Sequence, residues 1–208
     1  MTKYGMAVDT NRCMGCNMCS LSCRVNHNLP NEVLFSKAVN DGSDHFRTPS
    51  GVYPDGLEMK FYTKACQHCD EPACVAVCPT SATYKREDDG VVLVDSEKCI
   101  GCESCIAACP YEGVRTLLPA EPTYPLDFAL GDWAAPEHKP NTVEKCTFCV
   151  ERLDRGDVPL CVELCPAIAR YFGDLDDSES EISKVLQKRK YEQLLMDQGT
   201  GPNVFFLM

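Results

Sequence analysis

The stretch from Cys99 to Pro110 reads CIGCESCIAACP, and its cysteine spacing constrains the fold more tightly than any other feature of this 208-residue chain. A second stretch, from Cys13 to Cys23, has the same CxxCxxCxxxC spacing. The residues leading into the two stretches also match, as VDTNRC at 8–13 and VDSEKC at 94–99. This self-similarity indicates an internal repeat.

The remaining cysteines form a second kind of group, which also occurs twice. Residues 72–79 read PACVAVCP and residues 159–166 read PLCVELCP. The two copies differ in the gap between their second and third cysteines, which lengthens a loop without changing the ligand pattern. The 16 cysteines therefore fall into four groups of four: Cys13, Cys16, Cys19, Cys23; Cys66, Cys69, Cys74, Cys78; Cys99, Cys102, Cys105, Cys109; and Cys146, Cys149, Cys161, Cys165.

This spacing is typical of iron-sulfur ligands. CxxCxxC lets three thiolates from one tight loop bind three irons of a cubane, while the cysteine three residues further on binds the other cluster of a two-cluster ferredoxin fold. Proline follows that fourth cysteine in three groups, whereas Arg24 follows Cys23. Crossing the groups in this way predicts four [4Fe-4S] clusters with these ligand sets: Cys13, Cys16, Cys19 and Cys165; Cys23, Cys146, Cys149 and Cys161; Cys66, Cys69, Cys74 and Cys109; Cys78, Cys99, Cys102 and Cys105.

The crossed pattern also predicts the architecture. We expect an α+β fold made of two ferredoxin-like units, one inserted within the other, with long loop insertions and a C-terminal helix. The outer unit would comprise residues 1–56 and 115–177, the inner unit residues 57–114, and the helix and tail residues 178–208. Met6–Asp9 and Val91–Asp95 are predicted to be strands that lead into cluster loops.

Other uses of sixteen cysteines are weaker interpretations. Structural zinc sites also use paired CxxC motifs, but the CxxxCP element has no zinc rationale. A disulfide framework suits a short secreted chain, and this chain is neither short nor visibly secreted. A catalytic cluster would need an iron without a protein ligand, and all sixteen cysteines are used. We therefore expect a chain that transfers electrons and has no catalytic residues of its own.

The charge limits the partners. The formal net charge is −11, and four clusters would bring it to roughly −19, since each adds four thiolates around a core of about +2. Such a surface repels nucleic acid and anionic lipid. No apolar stretch is long enough for a membrane span or a signal peptide, so we expect a chain without a direct membrane span.

Basic residues precede the groups at Arg12, Lys64, Lys98 and Lys145, and positive charge near a cluster raises its reduction potential. The four histidines show no ligand spacing, and Trp133 is expected to pack within its insertion. Two insertions, 24–56 and 115–144, are too long for turns and serve either partner docking or surface packing.

A helix is predicted near the C-terminus. Ser178 with Glu181 resembles a capping box, Ile182 to Leu195 carry an apolar face, and Gly199 provides a stop.

Taken together, the sequence resembles the four-cluster beta subunits of the dimethyl sulfoxide reductase family of molybdopterin oxidoreductases. The strings that carry the resemblance span the chain: CNMCSLSCRVNHNLP at 16–30, KCTFCVERLDRGDVPLCVELCP at 145–166, YFGDLDD at 171–177 and GPNVFFL at 201–207.

The resemblance implies a large catalytic partner that carries molybdenum or tungsten in a bis-pterin guanine dinucleotide cofactor. It also implies an order of clusters, from the one held by Cys13 next to that partner, through those of Cys23 and Cys66, to that of Cys78. A separate membrane anchor or quinone-linked subunit is compatible with it. So are two compartments: the periplasm, by co-export with a signal-bearing partner, or the cytoplasm.

The runner-up function is electron transfer in another redox system, such as a hydrogenase or multihaem nitrite reductase, or as a free polyferredoxin. The two insertions and the GPNVFFL tail are the candidate docking surfaces, because neither is required to hold iron.

Overall fold

The structure is a computed structural model that describes residues 2–40 and 49–208. The part of the first insertion at 41–48, which includes His45, lies outside the described residues. Short strands and short helices alternate along the described chain. The strands are β1 Tyr4–Asp9, β2 Ser36–Asn40, β3 Phe61–Ala65, β4 Thr83–Lys85, β5 Val92–Val94, β6 Arg115–Leu117, β7 Val143–Lys145, β8 Arg170–Asp174, β9 Tyr191–Glu192 and β10 Val204–Leu207.

The helices are also short. They are α1 Met18–Asn26, α2 Ala73–Ala76, α3 Ser104–Ala107, α4 Val150–Leu153, α5 Leu160–Glu163 and α6 Glu181–Lys188, with a 3₁₀ turn at Met196–Gln198. The α+β class and the strands predicted before the first and third cysteine groups are confirmed, as β1 and β5.

The strands pair in a cycle around the four cysteine groups. The strand that follows each group pairs antiparallel with the strand that precedes the next: β2 with β3, β4 with β5, and β6 with β7. The strand after the last group, β8, pairs with β1 before the first. Each group is therefore held between two ribbons, which fixes both ends of its loop.

Helix contacts follow a different pairing. Helix α1, from the first group, contacts α5, from the fourth, while α2 contacts α3. The first and fourth groups are thus neighbours in space, as are the second and third.

The C-terminal segment is structural. Strand β10 lies parallel to β1 inside a sheet of order β8-β1-β10-β9, and every residue of β10 is buried. A strand enclosed on both faces reads as a continuous apolar run, which is what VFFL is. The prediction that this tail is a docking surface is therefore wrong.

The C-terminal helix forms, but its limits differ from the prediction. Its N-cap is Ser180, whose Oγ accepts a hydrogen bond from the Ser183 backbone N–H at 3.2 Å, so Ser178 is not the cap. The helix ends at Lys188, and Ile182 packs against Ala7 and Leu207 of the sheet.

The second insertion covers the surface near α1. It begins with β6 and ends with β7, and its backbone bonds to residues 26–31, for example from Asp132 N–H to Asn26 O at 2.8 Å. Trp133 does not pack within it as predicted: its side chain is 87% exposed, with the Arg155 guanidinium 5.7 Å from the ring centroid. Among the described residues, no helix has the length and apolar character needed to cross a bilayer.

Candidate metal centres

The four cysteine groups share one backbone feature. The residue before the second cysteine of each group has a left-handed conformation: φ is 66° at Gly15, 43° at His68, 67° at Gly101 and 56° at Phe148. A left-handed residue in such a turn points successive N–H groups into a concavity that suits an anion, as in many iron-sulfur sites.

Two of these positions are glycine for a second reason. A Cβ at Gly15 would lie 2.3 Å from the Phe61 ring, and one at Gly101 would lie 2.4 Å from the Asn141 carbonyl oxygen. At the other two positions the side chains stack instead, with the His68 and Phe148 rings 3.7 Å apart at an angle of 20°. The second and fourth groups therefore meet at the centre of the molecule.

The first predicted ligand set lines one cavity. Cys13, Cys16, Cys19 and Cys165 face it together with Arg170. The set thus joins three cysteines from one end of the sequence with one from the other.

A second cavity is lined by Cys78, Cys99, Cys102 and Cys105. This is also one of the crossed sets. Cys16 and Cys102 are the exposed members of the sixteen, and they belong to these two cavities.

A third, enclosed cavity is lined by Cys23, Cys146, Cys149 and Cys161, and it also contacts Cys66 of the remaining set. Burial raises the pKa of Cys69 to about 11, with the Cys66 and Cys74 thiols adding to the rise. Burial also raises the pKa of Cys109, and the same two thiols add to that rise. The structure therefore brings together the members of three predicted sets, each around one cavity. For the remaining set, it shows electrostatic interaction of Cys69 and Cys109 with Cys66 and Cys74, and Cys66 also lines the cavity of the set that contains Cys23.

These thiols fit a cationic iron-sulfur core. Burial raises the pKa of the Cys146 thiol to about 12 and also raises the pKa of Cys23 and Cys161. Positive charge from a bound metal favours ionisation of such thiols, and soft thiolates are the ligands that iron-sulfur clusters take.

Buried cations complete the electrostatics. Arg115, Lys145 and Arg170 are at most 6% exposed, and within residues 2–40 and 49–208 none of them forms an ion pair with a carboxylate. A buried charge without a counter-ion is costly. An anionic cluster beside each would supply the missing counter-charge.

The contacts of the two arginines point the same way, whereas Lys145 donates to backbone carbonyl oxygens. Arg115 donates from Nη2 to Cys74 Sγ at 2.8 Å, and its buried Nη1 has no partner among the described residues. Arg170 donates from Nη1 to Cys161 Sγ at 3.6 Å. Lys145 donates to the Cys146 carbonyl oxygen at 2.8 Å.

The sequence identified one of these cations and missed two. Lys145 precedes its group directly, whereas Lys98, chosen on the same grounds, is 64% exposed and paired with Asp95 at 2.9 Å. Arg115 and Arg170 come after their groups. Their positions follow from strand pairing, in which Arg115 lies opposite Lys145 and Arg170 lies opposite Val8.

One histidine also reaches a thiol. His27, to which the sequence assigned no role, is buried with Nε2 at 3.4 Å from Cys149 Sγ, and Glu151 lies beside it. Donor atoms of these three residues lie within 4.8 Å of one another, an arrangement that could hold a metal ion. Cys149, however, lines the same cavity as Cys23, Cys146 and Cys161, so we group its thiol with those three cysteines and not with His27 and Glu151.

Comparison with known proteins gives a consistent result. The family model described as "4Fe-4S dicluster domain" matches residues 57–118 and 132–175. A Halobacterium salinarum protein, provisionally named as an iron-sulfur subunit of dimethyl sulfoxide reductase, is 45% identical over all of this chain and 79% of its own length. The arsenate respiratory reductase iron-sulfur subunit ArrB of Shewanella sp. strain ANA-3 is 37% identical over 99% of this chain and 96% of its own. Protein NrfC of Escherichia coli strain K12 is 36% identical over 98% of this chain and 79% of its own.

Proposed function

Because this chain belongs to the iron-sulfur electron-transfer subunits of the dimethyl sulfoxide reductase family, which are not the catalytic subunits, we propose that it holds four [4Fe-4S] clusters and relays electrons to or from a molybdopterin catalytic subunit. The observation that carries this proposal is that three of the four crossed cysteine sets each line a separate cavity. When bound, each cluster supplies a one-electron carrier.

The proposed ligands are the crossed sets. Cys13, Cys16, Cys19 and Cys165 hold the first cluster; Cys23, Cys146, Cys149 and Cys161 the second; Cys66, Cys69, Cys74 and Cys109 the third; Cys78, Cys99, Cys102 and Cys105 the fourth. The contacts of α1 with α5 and of α2 with α3 support the inserted arrangement of two ferredoxin-like units.

A linear order of the sets is supported by the groups that lie between them. Arg170 interacts electrostatically with thiols of the first and second sets, including Cys19 and Cys161, and these thiols raise its pKa against the effect of burial. Cys66 lines the cavity of the second set. The thiols of Cys66 and Cys146 also interact electrostatically with Lys145, and they partly offset the lowering of its pKa by burial. Cys74 and Cys105 share one core cluster of side chains, which joins the third set to the fourth.

The exposure of the cysteines supports the two ends of this order. Cys16 and Cys102 are exposed and belong to the first and fourth sets, whereas the second and third sets contain no exposed cysteine. Electrons would therefore enter at one of these ends and leave at the other, with the inner clusters shielded from water.

The face beside the first set is the proposed docking surface for the catalytic subunit. Its side chains are apolar and exposed, at Met14 and along α1 at Met18, Leu21 and Val25, with Ile168 near Cys165. Met18, Leu21 and Val25 are spaced three and four residues apart on α1 and so lie on one side of it, and exposed apolar side chains grouped in this way are typical of protein interfaces. Trp133, on the insertion that packs against the end of α1, would extend the contact.

Anaerobic purification of the native complex tests the proposal. We expect a larger subunit with molybdenum or tungsten to co-purify, and hydrogen exchange to be slowed at residues 14–25 when the complex forms. If exchange were slowed only around Cys102, the catalytic subunit would dock beside the fourth set, and the proposed order of the clusters relative to that subunit would be reversed. A chain that is monomeric in native extracts would indicate a free polyferredoxin, and stoichiometric zinc without sulfide would overturn the cluster assignment.

A further inference from the structure

His27 is positioned as a hydrogen-bond donor to a cluster ligand. It follows α1 directly and is 3% exposed. Its Nε2 lies 3.4 Å from Cys149 Sγ, a normal distance for a hydrogen bond to sulfur. A thiolate bound to iron offers only acceptor capacity, so this contact is attractive when Nε2 carries the ring proton.

The ring is confined on its other side. Glu151 Oε1 lies 3.4 Å from His27 Nδ1 and accepts a hydrogen bond from Asn26 Nδ2 at 3.1 Å. With the ring proton on Nε2, Nδ1 can only accept, so this contact is a hydrogen bond when the carboxyl group of Glu151 supplies the proton. The Phe35 ring packs against the imidazole, with centroids 5.3 Å apart. A buried ring confined in this way has one orientation, with Nε2 directed at Cys149.

The backbone of His27 is held by the second insertion. We call residues 118–142 the strap, because hydrogen bonds between Leu118 and the pair Asn141 and Thr142 close its base. His138 of the strap donates from Nε2 to the His27 carbonyl oxygen at 2.7 Å.

Further bonds join the strap to both sides of His27. Asp132 N–H donates to Asn26 O at 2.8 Å, and Leu130 N–H donates to Asn28 Oδ1 at 3.1 Å. At Gly131 the strap approaches α1 so closely that a Cβ would lie 2.1 Å from the Val25 carbonyl oxygen. The strap is therefore fitted to the end of α1.

We propose that His27 donates its Nε2–H to the Cys149 thiolate, that the strap positions it to do so, and that this bond raises the reduction potential of the second cluster. The inference rests on the proposed function, since it requires that cluster. Hydrogen bonds to ligand sulfurs favour the reduced, more anionic state, so they shift the potential upward. His27 acts as a positioning and tuning residue through Cys149 and ligates no iron.

The test uses the full-length chain, purified anaerobically with its clusters. His27→Leu removes the donor, His27→Gln keeps an N–H donor, and His138→Leu loosens the strap while leaving His27 in place. Iron and sulfide content, a potentiometric titration followed by electron paramagnetic resonance, and pulsed resonance with ¹⁵N-histidine labelling are measured for each.

We expect His27→Leu to lower the reduction potential of one cluster out of four. In His27→Gln, the potential of that cluster should stay close to the wild-type value. In His138→Leu, the potential of the same cluster should fall by less than in His27→Leu. The wild-type cluster should show a histidine nitrogen coupling that His27→Leu abolishes. Full iron and sulfide with four unchanged potentials would overturn the inference and leave the proposed function intact. If His27→Leu fails to hold iron, absence of the histidine coupling in the wild type overturns the inference; a wild type without iron and sulfide overturns the proposed function instead.

Discussion

Replacing Arg115 with methionine should lower the potential of the third cluster more than that of any other. Arg115 is 5% exposed, donates to Cys74 Sγ at 2.8 Å and has no carboxylate partner within the described chain, so neither solvent nor an ion pair offsets its charge. Methionine has a similar reach and is apolar. The substitution therefore removes one positive charge and one charge-assisted hydrogen bond while preserving much of the packing.

The size of the effect follows from the contact distance. A guanidinium nitrogen at 2.8 Å from the ligand sulfur places the charge at roughly 7 Å from the cluster centre, and at an effective dielectric constant of about 20 the attraction is about 2 kcal/mol per added electron. For a one-electron couple this corresponds to about 100 mV. Arg115→Lys keeps the charge and should shift the potential by much less.

Potentiometric titration of the anaerobically purified chain measures this shift. Lys98→Gln is the matched control, because Lys98 is also a cation close to a cysteine group but is exposed and paired with Asp95. Exposed ion pairs have little energetic effect, so this control should leave all potentials nearly unchanged. The reasoning fails if Arg115→Met retains full iron with no potential lowered, or if Lys98→Gln produces an equal shift.

Three further predictions test the ligand sets and the fold. Iron and sulfide analysis should find about sixteen of each per chain, because four cubanes each contain four irons and four sulfides; fewer than half would contradict four clusters. Cys102→Ser should convert or remove only the cluster assigned to Cys78, Cys99, Cys102 and Cys105, and three unaltered cubane signals should remain in the resonance spectrum. Ser180→Ala should lower the free energy of unfolding by about 1 kcal/mol through loss of the N-cap of α6. Ser178→Ala should have almost no effect, and an equal loss of stability in both variants would contradict the assignment of the cap.

Local constraints made much of the site predictable. The cysteine spacing is local, so the four groups are visible in the amino-acid order, and the repeat of two group types allowed the crossed sets to be predicted from it. The strands leading into the first and third groups follow from short apolar runs, as in Val92–Val94. The strained turns are less visible, since His68 and Phe148 give no sign of a left-handed backbone in the sequence.

Features that depend on distant strand pairing could not be predicted in this way. Arg170 is placed opposite Val8 by a ribbon that joins the two ends of the chain. His27 meets Cys149 only because α1 packs on the fourth group. The capping-box rule favours Ser178, which has Glu181 three residues later, whereas the structure shows that the Ser183 N–H bonds to Ser180, so Ser180 is the cap.

The cyclic pairing of strands begins a new strand after each cysteine group, and the residues that begin these strands differ. In each ribbon the first residue of the strand that follows a cysteine group is buried, and these residues are Ser36, Thr83, Arg115 and Arg170. The same ligand type would surround each of the four proposed clusters, but a buried guanidinium lies at two of these positions and a hydroxyl at the other two. Since charge near a cluster shifts its potential far more than a neutral hydroxyl does, a repeated fold can hold clusters of unequal potential. Exchanging the residue type at one of these positions should therefore change the potential of a proposed cluster beside it without altering any of the proposed cysteine ligands.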